Sequence, residues 1–334
     1  MRFLFLASSF FVFFLQIILY SPLFNLKGKE EKVFVRYRES ISEFSKKLKE
    51  KGIISHEKFI YFMKIYNPEF KLYAGEWKII NSGNSFLNFK NIDNAEKNFE
   101  LIITIPEGYE LRKILKLLSE KGGYDYDELN RLAQNPENFK ELFEYGVPQN
   151  LEGYLFPDTY ILSYSLSEKE VLEIFIKRFF EVIKELGYDT IKDRLELSLE
   201  EILTLASIIE KEAIFDYEKK IISSVYYNRL KKGIPLQADP TIQYLLPKPL
   251  FPLPLRFLKM DSPYNTYKNK GLPPTPICSP GKKSIEAALY PEKTEYLYFV
   301  ARGDGTHIFS KTYEEHLKNK RSAKKEWIRR GLLK

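Results

Sequence analysis

Cysteine and histidine are scarce in this chain, which excludes two common kinds of structural support. The sequence contains one cysteine, Cys278, and three histidines in 334 residues. One cysteine cannot form an intramolecular disulfide, and the histidines, at His56, His307 and His316, lie in different segments and leave little for a metal site. We expect stability to come from packing, with Cys278 as a small buried residue and His307 in a structural or rim hydrogen bond.

A strong excess of one charge is also missing. The net charge is +7, and lysine and arginine alternate with glutamate along nearly the whole length. This pattern is typical of a solvated surface, so nucleic acid is not an expected partner. The sequence has no serine nucleophile elbow and no phosphate-binding glycine loop. A hydrophobic content of 44% is enough for a packed core in two or three domains.

The longest apolar run, FLFLASSFFVFFLQIILYSPLF, occupies residues 3 to 24 and carries no charge. At about 1.5 Å per residue it is long enough to cross a hydrocarbon core of roughly 30 Å. A cleaved signal peptide is the alternative, but no small-x-small cleavage site follows. We therefore predict a retained transmembrane helix within residues 1–26. The lysines after it outnumber Arg2, and this charge count alone would keep the rest of the chain in the cytoplasm.

Two stretches repeat one pattern at an offset of 70 residues, since residues 33–52 align without gaps to residues 103–122. In each copy, an alternating apolar start predicts a strand and the following spacing predicts an amphipathic helix. A glycine, Gly52 or Gly122, stands where a helix C-cap requires positive φ. The first copy and the strand-like KLYAGEWKII after it predict a small α/β module at residues 32–92.

The rest of the sequence predicts a mixed α+β organisation. A polar connector is expected at 81–94, a second small module with connecting helices at 100–190, and a core at 191–334. Eleven of the 18 prolines lie between Pro235 and Pro280. Such a stretch cannot be regular helix or central strand, so we predict a long loop that forms a binding surface.

Glu210 and Glu212 lie in a stretch, LASIIEKEAIF at residues 205–215, that otherwise has the pattern of a buried helix. A capping box formed by Ser198 and Glu201 predicts where this helix begins. Glu212 faces the following helix and is the better candidate for a structural ion pair. Surface charge is the ordinary explanation for a Glu-Lys-Glu triplet, so a chemical role needs further evidence.

Glu210 has the surroundings that a general acid requires. Helical side chains lean toward the N-terminus, so its carboxyl should lie over the small residues Ala206 and Ser207. Leu203 and Ile214 should partly remove it from water, which favours the protonated form.

Five motifs in order along the chain resemble one family. They are LEGYLFPDTY at 151–160, LASIIEKEA at 205–213, NRLKKGIPLQADPTIQY at 228–244, SPYNTYKNKGLPPTPICSPG at 262–281 and YLYFVARGDGTHIFSKTYEEH at 296–316. Together they closely resemble the endolytic murein transglycosylases, the MltG or YceG-like family. The resemblance implies an α+β fold with an N-terminal transmembrane helix, a LysM-like module at 32–92 and a YceG-like region at 100–334 that contains the long proline-rich loop.

The resemblance also implies a lyase that cuts the MurNAc-GlcNAc β-1,4 bond of nascent peptidoglycan strands, forms 1,6-anhydro-MurNAc and so terminates strand elongation. Glu210 would be the catalytic residue, without metal or cofactor. Candidate substrate-binding residues in the downstream loop are Gln237, Asp239, Tyr244, Asn265 and Tyr267. For each of them a loop-fixing hydrogen bond is the alternative, and Asp239 before Pro240 also resembles a turn former.

The implied location is the inner (cytoplasmic) membrane, with a single span and the catalytic domain on the extracytoplasmic side, against the charge count. Peptidoglycan strands and the membrane are the implied partners, and peptidoglycan synthases are candidate partners. The LysM-like module would bind glycan through Tyr37, Tyr73 and Trp77, unless packing explains these aromatic residues. Two alternatives stay open: a hydrolytic muramidase and a non-catalytic, membrane-anchored glycan-binding scaffold.

Overall fold

A computed structural model describes residues 28–331, apart from positions 59, 60, 62, 64 and 66. The predicted anchor at residues 1–26 lies outside the described residues. Within the described ranges, no helix has both the length and the apolar character needed to cross a membrane. Helices predominate beside several small sheets, which confirms the predicted mixed α+β class.

The strands are short and their bounds are as follows: β1 (Lys29–Val35), β2 (Gly75–Asn81), β3 (Glu96–Asn98), β4 (Glu100–Thr104), β5 (Thr159–Ser163), β6 (Tyr298–Ala301) and β7 (His307–Ser310). The helices with described bounds are α1 (Ile41–Glu50), α2 (Ser85–Asp93), α3 (Leu111–Gly122), α4 (Tyr126–Ala133), α5 (Glu168–Glu185), α6 (Tyr188–Ile191), α7 (Leu199–Glu212), α8 (Asp216–Lys231), α9 (Asp239–Gln243), α10 (Lys282–Leu289) and α11 (Tyr313–Arg329).

The described chain divides into two compact units. Unit 1 contains the chain up to Ile103 together with Leu118–Tyr124 and Tyr160–Ser167. Unit 2 contains Thr104–Leu117, Asp125–Thr159 and the chain from Glu168 onward. The core of unit 1 lies against an antiparallel sheet in the order β1-β2-β3, where the buried Trp77 packs with its ring centre 5.4 Å from that of Phe44.

Both copies of the sequence repeat form the predicted strand and helix, as β1 with α1 and β4 with α3. Gly52 has φ +66° after α1, as predicted. In the second copy the helix continues through Gly122, and Gly123 takes the positive φ of +70° instead. The predicted polar connector at 81–94 is wrong in part because it contains α2, whose first turn begins where the Leu87 N–H donates to Asn84 Oδ1 at 3.3 Å.

Helix α7 is the most buried helix segment of unit 2. It begins with the predicted capping box of Ser198 and Glu201, and every residue from Leu199 to Ile209 except Glu200 and Glu201 is buried. A helix that is apolar on all sides is covered on all sides. Helices α8, α9 and α10 all pack on α7. Besides Glu200 and Glu201 in the first turn, its last turn reaches the surface, and that turn carries Glu210.

The proline-rich stretch from Pro235 to Pro280 is mostly irregular, as predicted. Its regular pieces are α9 and the 3-10 turn Leu255–Lys259. Asp239, which resembled a turn former, is the first residue of the short helix α9. Pro240 at the next position is compatible with this, because proline is tolerated in the first turn of a helix. The following strands β6 and β7 form an antiparallel hairpin.

Candidate active site

Glu210 is held at one carboxylate oxygen. Its Oε2 accepts hydrogen bonds from the Ser284 hydroxyl at 2.6 Å and from the Gly281 N–H at 3.1 Å. Both donors come from the start of α10, which packs on α7. Among the described residues no hydrogen bond involves Oε1 of Glu210. The carboxyl group therefore has one anchored oxygen and one that is available to a ligand.

The expected burial of Glu210 is confirmed, because its side chain is only 10% exposed. The predicted cause is partly wrong. Helix α7 ends at Glu212 and Ala213 is extended, so Ile214 leaves the helical path and is 73% exposed. Ala206 and Ser207, over which the carboxyl group was expected to lie, are both fully buried.

The cover over α7 is the end of the proline-rich loop, residues 276–281, which we call the strap. The Ile277 N–H donates to Ser207 Oγ at 3.0 Å, and the Cys278 thiol lies 3.4 Å from the Ser207 carbonyl oxygen. Cys278 is buried, as predicted. The small side chain of Ser207 thus allows the strap to approach the helix and supplies its hydrogen-bond acceptor.

The strap is held on its other side by the segment between β4 and α3. The Gly108 N–H donates to the Ser279 carbonyl at 2.8 Å, and the Ser279 N–H donates to the Tyr109 carbonyl at 2.8 Å. This pairing brings Glu107 against Gly281, where a Cβ atom would lie 1.9 Å from Glu107 Oε1. Glycine is therefore the residue that fits at position 281, next to the N–H that Glu210 uses.

Glu107 is a second carboxylate at the site that the sequence reasoning missed. Partial burial, followed by the negative charge of Glu210, raises the pKa of Glu107 above its ordinary value. A signal was present in the repeat, because its offset of 70 aligns Glu107 with Tyr37. The acidic residue belongs to the second copy alone, which packing of a repeated module does not explain.

A buried lysine completes the charge cluster. Lys219 Nζ lies 3.0 Å from Asp216 Oδ1 and 3.7 Å from Glu210 Oε2, and its side chain is 5% exposed. The cluster of Glu107, Glu210, Asp216 and Lys219 therefore has more carboxylates than cations.

Within the described ranges Glu212 makes no ion pair, so the predicted structural ion pair is wrong. It accepts a hydrogen bond from the Tyr226 hydroxyl at 3.1 Å instead. Burial and the nearby charge of Asp239 raise the pKa of Glu212 to about 7. Asp239 in turn accepts a hydrogen bond from the Tyr267 hydroxyl. Two of the predicted substrate-binding residues, Asp239 and Tyr267, are thus brought together with each other.

The remaining predicted binding residues have different surroundings. Asn265 is fully buried, and its amide donates to the carbonyls of Leu258 and Met260, which favours the loop-fixing alternative. The Gln237 side chain accepts from Arg229 at 3.4 Å. Tyr244 lies beside a surface pocket.

The hydroxyl of Tyr244 bonds to a buried carboxylate in the motif LEGYLFPDTY. Glu152 accepts from the Tyr244 hydroxyl at 3.0 Å and from the Leu111 N–H at 2.8 Å. Burial raises the pKa of Glu152 to about 7. The motif thus contributes a buried acidic residue, Glu152, whose hydrogen bonds connect Leu111 at the start of α3 with Tyr244 in the proline-rich loop.

The aromatic residues predicted to bind glycan in the first module are divided. Trp77 is fully buried and donates its indole N–H to the Tyr73 carbonyl, so packing explains it. Tyr37 and Tyr73 are exposed. His307 is structural, as one of the predicted alternatives had it, because its Nδ1 lies 2.8 Å from Oε2 of the buried Glu218.

Comparison with known proteins gives consistent matches over most of the chain. The sequence profile of the YceG-like family matches residues 33–322. The endolytic murein transglycosylase of Bacillus subtilis is 34% identical over 295 residues, which cover 84% of this chain and 81% of that protein. The endolytic murein transglycosylase of Streptococcus pneumoniae is 30% identical over 312 residues, which cover 84% of this chain and 56% of that protein.

A solved structure is also similar. The crystal structure of a yceG-like protein from Listeria monocytogenes superposes with a TM-score of 0.60 and 34% sequence identity. The match covers 87% of this chain and 99% of that chain. Fold and sequence therefore agree on the same family.

Proposed function

The chain belongs to the YceG-like family, and from this premise we propose that it is an endolytic peptidoglycan lytic transglycosylase in which Glu210 is the catalytic acid and base. The names of the Bacillus subtilis and Streptococcus pneumoniae relatives support the activity. The observation that carries the role of Glu210 is its geometry: one oxygen is anchored by Ser284 and Gly281, and the other makes no hydrogen bond within the described part of the chain.

The reaction needs one protein carboxyl group because the substrate supplies the nucleophile. Glu210 donates its proton to the glycosidic oxygen, and the bond between that oxygen and C1 of MurNAc breaks. The C6 hydroxyl oxygen of the same MurNAc bonds to C1 and closes the 1,6-anhydro ring. The hydroxyl proton returns to Glu210, which restores the acid. A glycoside hydrolase, in contrast, typically uses a second carboxyl group to activate water or to attack C1.

The site chemistry fits this cycle. With Oε2 held by two donors, Oε1 is the atom that can carry the proton between the two sugar oxygens. Glu107, whose pKa is raised by burial and then by the charge of Glu210, lies against Gly281 of the same strap. The strap excludes water from one side of Glu210, which strengthens the electrostatic effect of the neighbouring groups.

The location and the first module belong to the same proposal. The apolar run at residues 3–24 supports a single membrane span, with unit 2 on the extracytoplasmic side where peptidoglycan lies. Residues 32–92 are proposed as a LysM-like module, and the exposed Tyr37 and Tyr73 are its available aromatic contacts for glycan. Peptidoglycan synthases are the proposed protein partners.

Replacing Glu210 with glutamine tests the catalytic assignment. Glutamine keeps the size of the side chain and an oxygen for Ser284 and Gly281, but it cannot donate a carboxyl proton. We expect strand cleavage to fall by about 10³-fold or more. The measurement is mass spectrometry of purified peptidoglycan after digestion with the wild-type and Glu210→Gln proteins.

The products distinguish the alternatives. Anhydro-muramic ends support a lytic transglycosylase, whereas reducing ends would identify a hydrolytic muramidase. Glu196→Gln, which changes an exposed glutamate, is the matched control and should cleave like the wild type. Full activity in Glu210→Gln would remove Glu210 from the mechanism, and strand binding without cleavage by the wild type would identify a scaffold.

A further inference from the structure

A surface pocket of about 310 Å³ lies in unit 2 beside the catalytic helix. Its walls include Lys211, Lys113, Tyr244, Leu250 and Phe251. We call it the Lys211 pocket. Its volume is at the lower end of the range for ligand pockets, which is about 300–1,000 Å³. The acid and base chemistry of Glu210 does not use any of these side chains.

The Lys211 pocket begins next to the reacting group. Lys211 follows Glu210 directly on α7, and both side chains approach Gly108. Lys211 Nζ lies 3.4 Å, and Glu210 Cγ 3.7 Å, from the position that a Cβ atom on Gly108 would occupy. A ligand group in the pocket would therefore be attached close to the bond that is cleaved.

The pocket carries a positive charge. Lys113 Nζ lies 2.7 Å from Glu110 Oε1, and Arg112 Nε lies 2.5 Å from Glu110 Oε2. Glu110, the acidic side chain of the wall, is therefore paired with two cations. Within the described part of the chain, Lys211 forms no ion pair with a carboxylate. Its ammonium group is free to bind an anion, and a carboxylate is the common partner in peptides.

Another part of the wall is apolar and exposed. The Phe251 side chain is 84% exposed, and Leu250 beside it is also exposed. An exposed apolar patch next to a polar group commonly marks a contact site. The pocket thus combines one available cation with an apolar surface, and it adjoins a site that cleaves at muramic acid.

We propose that the Lys211 pocket binds the peptide stem that muramic acid carries on its lactyl group. This inference rests on the proposed function. A peptide stem is a short chain with alanine methyl groups and free carboxylates, so its carboxylate would pair with Lys211 and its methyl groups would pack on Phe251. The pocket would make the enzyme act on strands that still carry their peptides, which is the state of newly made glycan.

The test compares two substrates with the full-length protein. One is a preparation of uncrosslinked strands with intact peptide stems, and the other is the same preparation after treatment with an amidase that removes the stems. The readout is the ratio of kcat/KM on the first substrate to kcat/KM on the second. We expect a wild-type ratio of about 10, the contribution of one charge-assisted contact.

Lys211→Gln and Phe251→Ala should each lower this ratio several-fold. A ratio cancels any common effect on catalysis from the position of Lys211 beside Glu210. Lys140→Gln, which changes an exposed lysine outside the pocket, should keep the wild-type ratio. A wild-type ratio near one overturns the proposal. So does an equal loss on both substrates, which would identify a glycan subsite.

Failure of the proposed function gives a different result, because the wild type would then cleave neither substrate. Calorimetric titration with the synthetic tripeptide L-Ala-γ-D-Glu-L-Lys decides the pocket independently of cleavage. We expect binding that Lys211→Gln weakens by about tenfold. The absence of binding to the wild type would overturn the proposal.

Discussion

At the scale of single residues, the hydroxyl of Ser284 is the shortest contact of Glu210. Ser284 is fully buried at the start of α10, and its Oγ lies 2.6 Å from Oε2. A buried donor with a fixed direction orients the carboxyl group before the substrate arrives. The hydrogen bond from Ser284 therefore positions Glu210 through Oε2. It does not involve Oε1, the oxygen proposed to carry the proton.

Ser284→Ala should therefore lower kcat by about 10-fold to 100-fold, with a small change in KM. Alanine removes the donor and leaves the Gly281 N–H as the one hydrogen bond to Oε2. The measurement is steady-state cleavage of purified strands. Ser279→Ala is the control, because Ser279 Oγ is buried nearby without a hydrogen-bond partner among the described residues. Equal kinetics of Ser284→Ala and the wild type would contradict the positioning role.

Glu107→Gln should shift the pH dependence of cleavage. Burial and then the charge of Glu210 raise the pKa of Glu107, so Glu107 changes its charge at a higher pH than an ordinary glutamate does. Glutamine removes this change of charge beside Glu210, so the pH profile of kcat/KM should lose the part that Glu107 contributes. Glu141→Gln, an exposed glutamate elsewhere, should keep the wild-type profile. An unshifted profile in Glu107→Gln would mean that the two carboxylates are not coupled.

Sequence reasoning could identify Glu210 because its helix, its small neighbours and the family motif lie in one stretch. It could not identify Glu107, which lies more than a hundred residues earlier in the chain. Glu107 is brought to the site because it packs against Gly281 of the strap. The covering role of Ile214 failed for a local reason. The helix ends two residues before Ile214, and the periodicity of the sequence does not report that end.

At the scale of elements, the strap and α7 behave as one packed pair. Ser207 is the connection, since its Oγ accepts the Ile277 N–H at 3.0 Å and donates to the Thr204 carbonyl at 2.7 Å. Ser207 and Ile277 are 70 positions apart in the chain, so this hydrogen bond joins distant segments. A buried N–H that loses its acceptor costs about 1–3 kcal/mol.

Ser207→Ala should lower the free energy of unfolding by about 1–3 kcal/mol and also reduce cleavage, because the strap carries the Gly281 N–H. Denaturant unfolding and strand cleavage measure the two effects. Ser223→Ala is the matched control, since Ser223 is a buried serine on α8 whose Oγ has no hydrogen-bond partner within the described ranges. Similar unfolding midpoints for both variants would show that the Ile277 N–H does not depend on Ser207.

Local signals predicted the strand and helix of both repeat copies and the helix that carries Glu210. The capping box at Ser198 and Gly52 after α1 gave correct helix ends, because caps depend on residues close in sequence. Helix α2 was missed because its polar start has the composition of a turn. The packing of the strap on α7 could not be predicted from spacing, since the residues between them form a long irregular loop.

At the scale of the whole molecule, unit 2 buries carboxylates away from the reacting centre. Glu152 is buried, and burial raises its pKa from 4.5 to about 7. The folded state therefore binds its proton more tightly than the unfolded chain does. The stabilisation is complete below pH 4.5 and is lost as the pH rises to about 7 and beyond.

Glu152→Gln should remove the loss of stability at higher pH, because glutamine does not titrate. Relative to the wild type, the variant should gain stability between pH 5 and pH 8, by on the order of 3 kcal/mol. Unfolding in denaturant at several pH values gives the slope. The glutamine amide and the carboxyl group differ in hydrogen-bond strength, but this difference does not depend on pH. It therefore does not change the slope of the unfolding free energy against pH. Parallel curves for the variant and the wild type would mean that Glu152 titrates equally in both states.

The two compact units are each assembled from pieces that are separate in sequence. Unit 1 includes Leu118–Tyr124 and Tyr160–Ser167 in addition to the first module. These short pieces are separated from the module in sequence, and no composition change marks them. The LysM-like assignment of residues 32–92 and the membrane anchor stay predictions.

The position of Cys278 has a practical consequence. Its sulfur is sealed between the strap and α7, and burial raises the pKa of the thiol well above its ordinary value. The sulfur becomes reactive toward an alkylating reagent only when the strap lifts away from the helix. Because the chain has no other cysteine, the rate of labelling would report how often the strap opens beside Glu210, without any engineered probe.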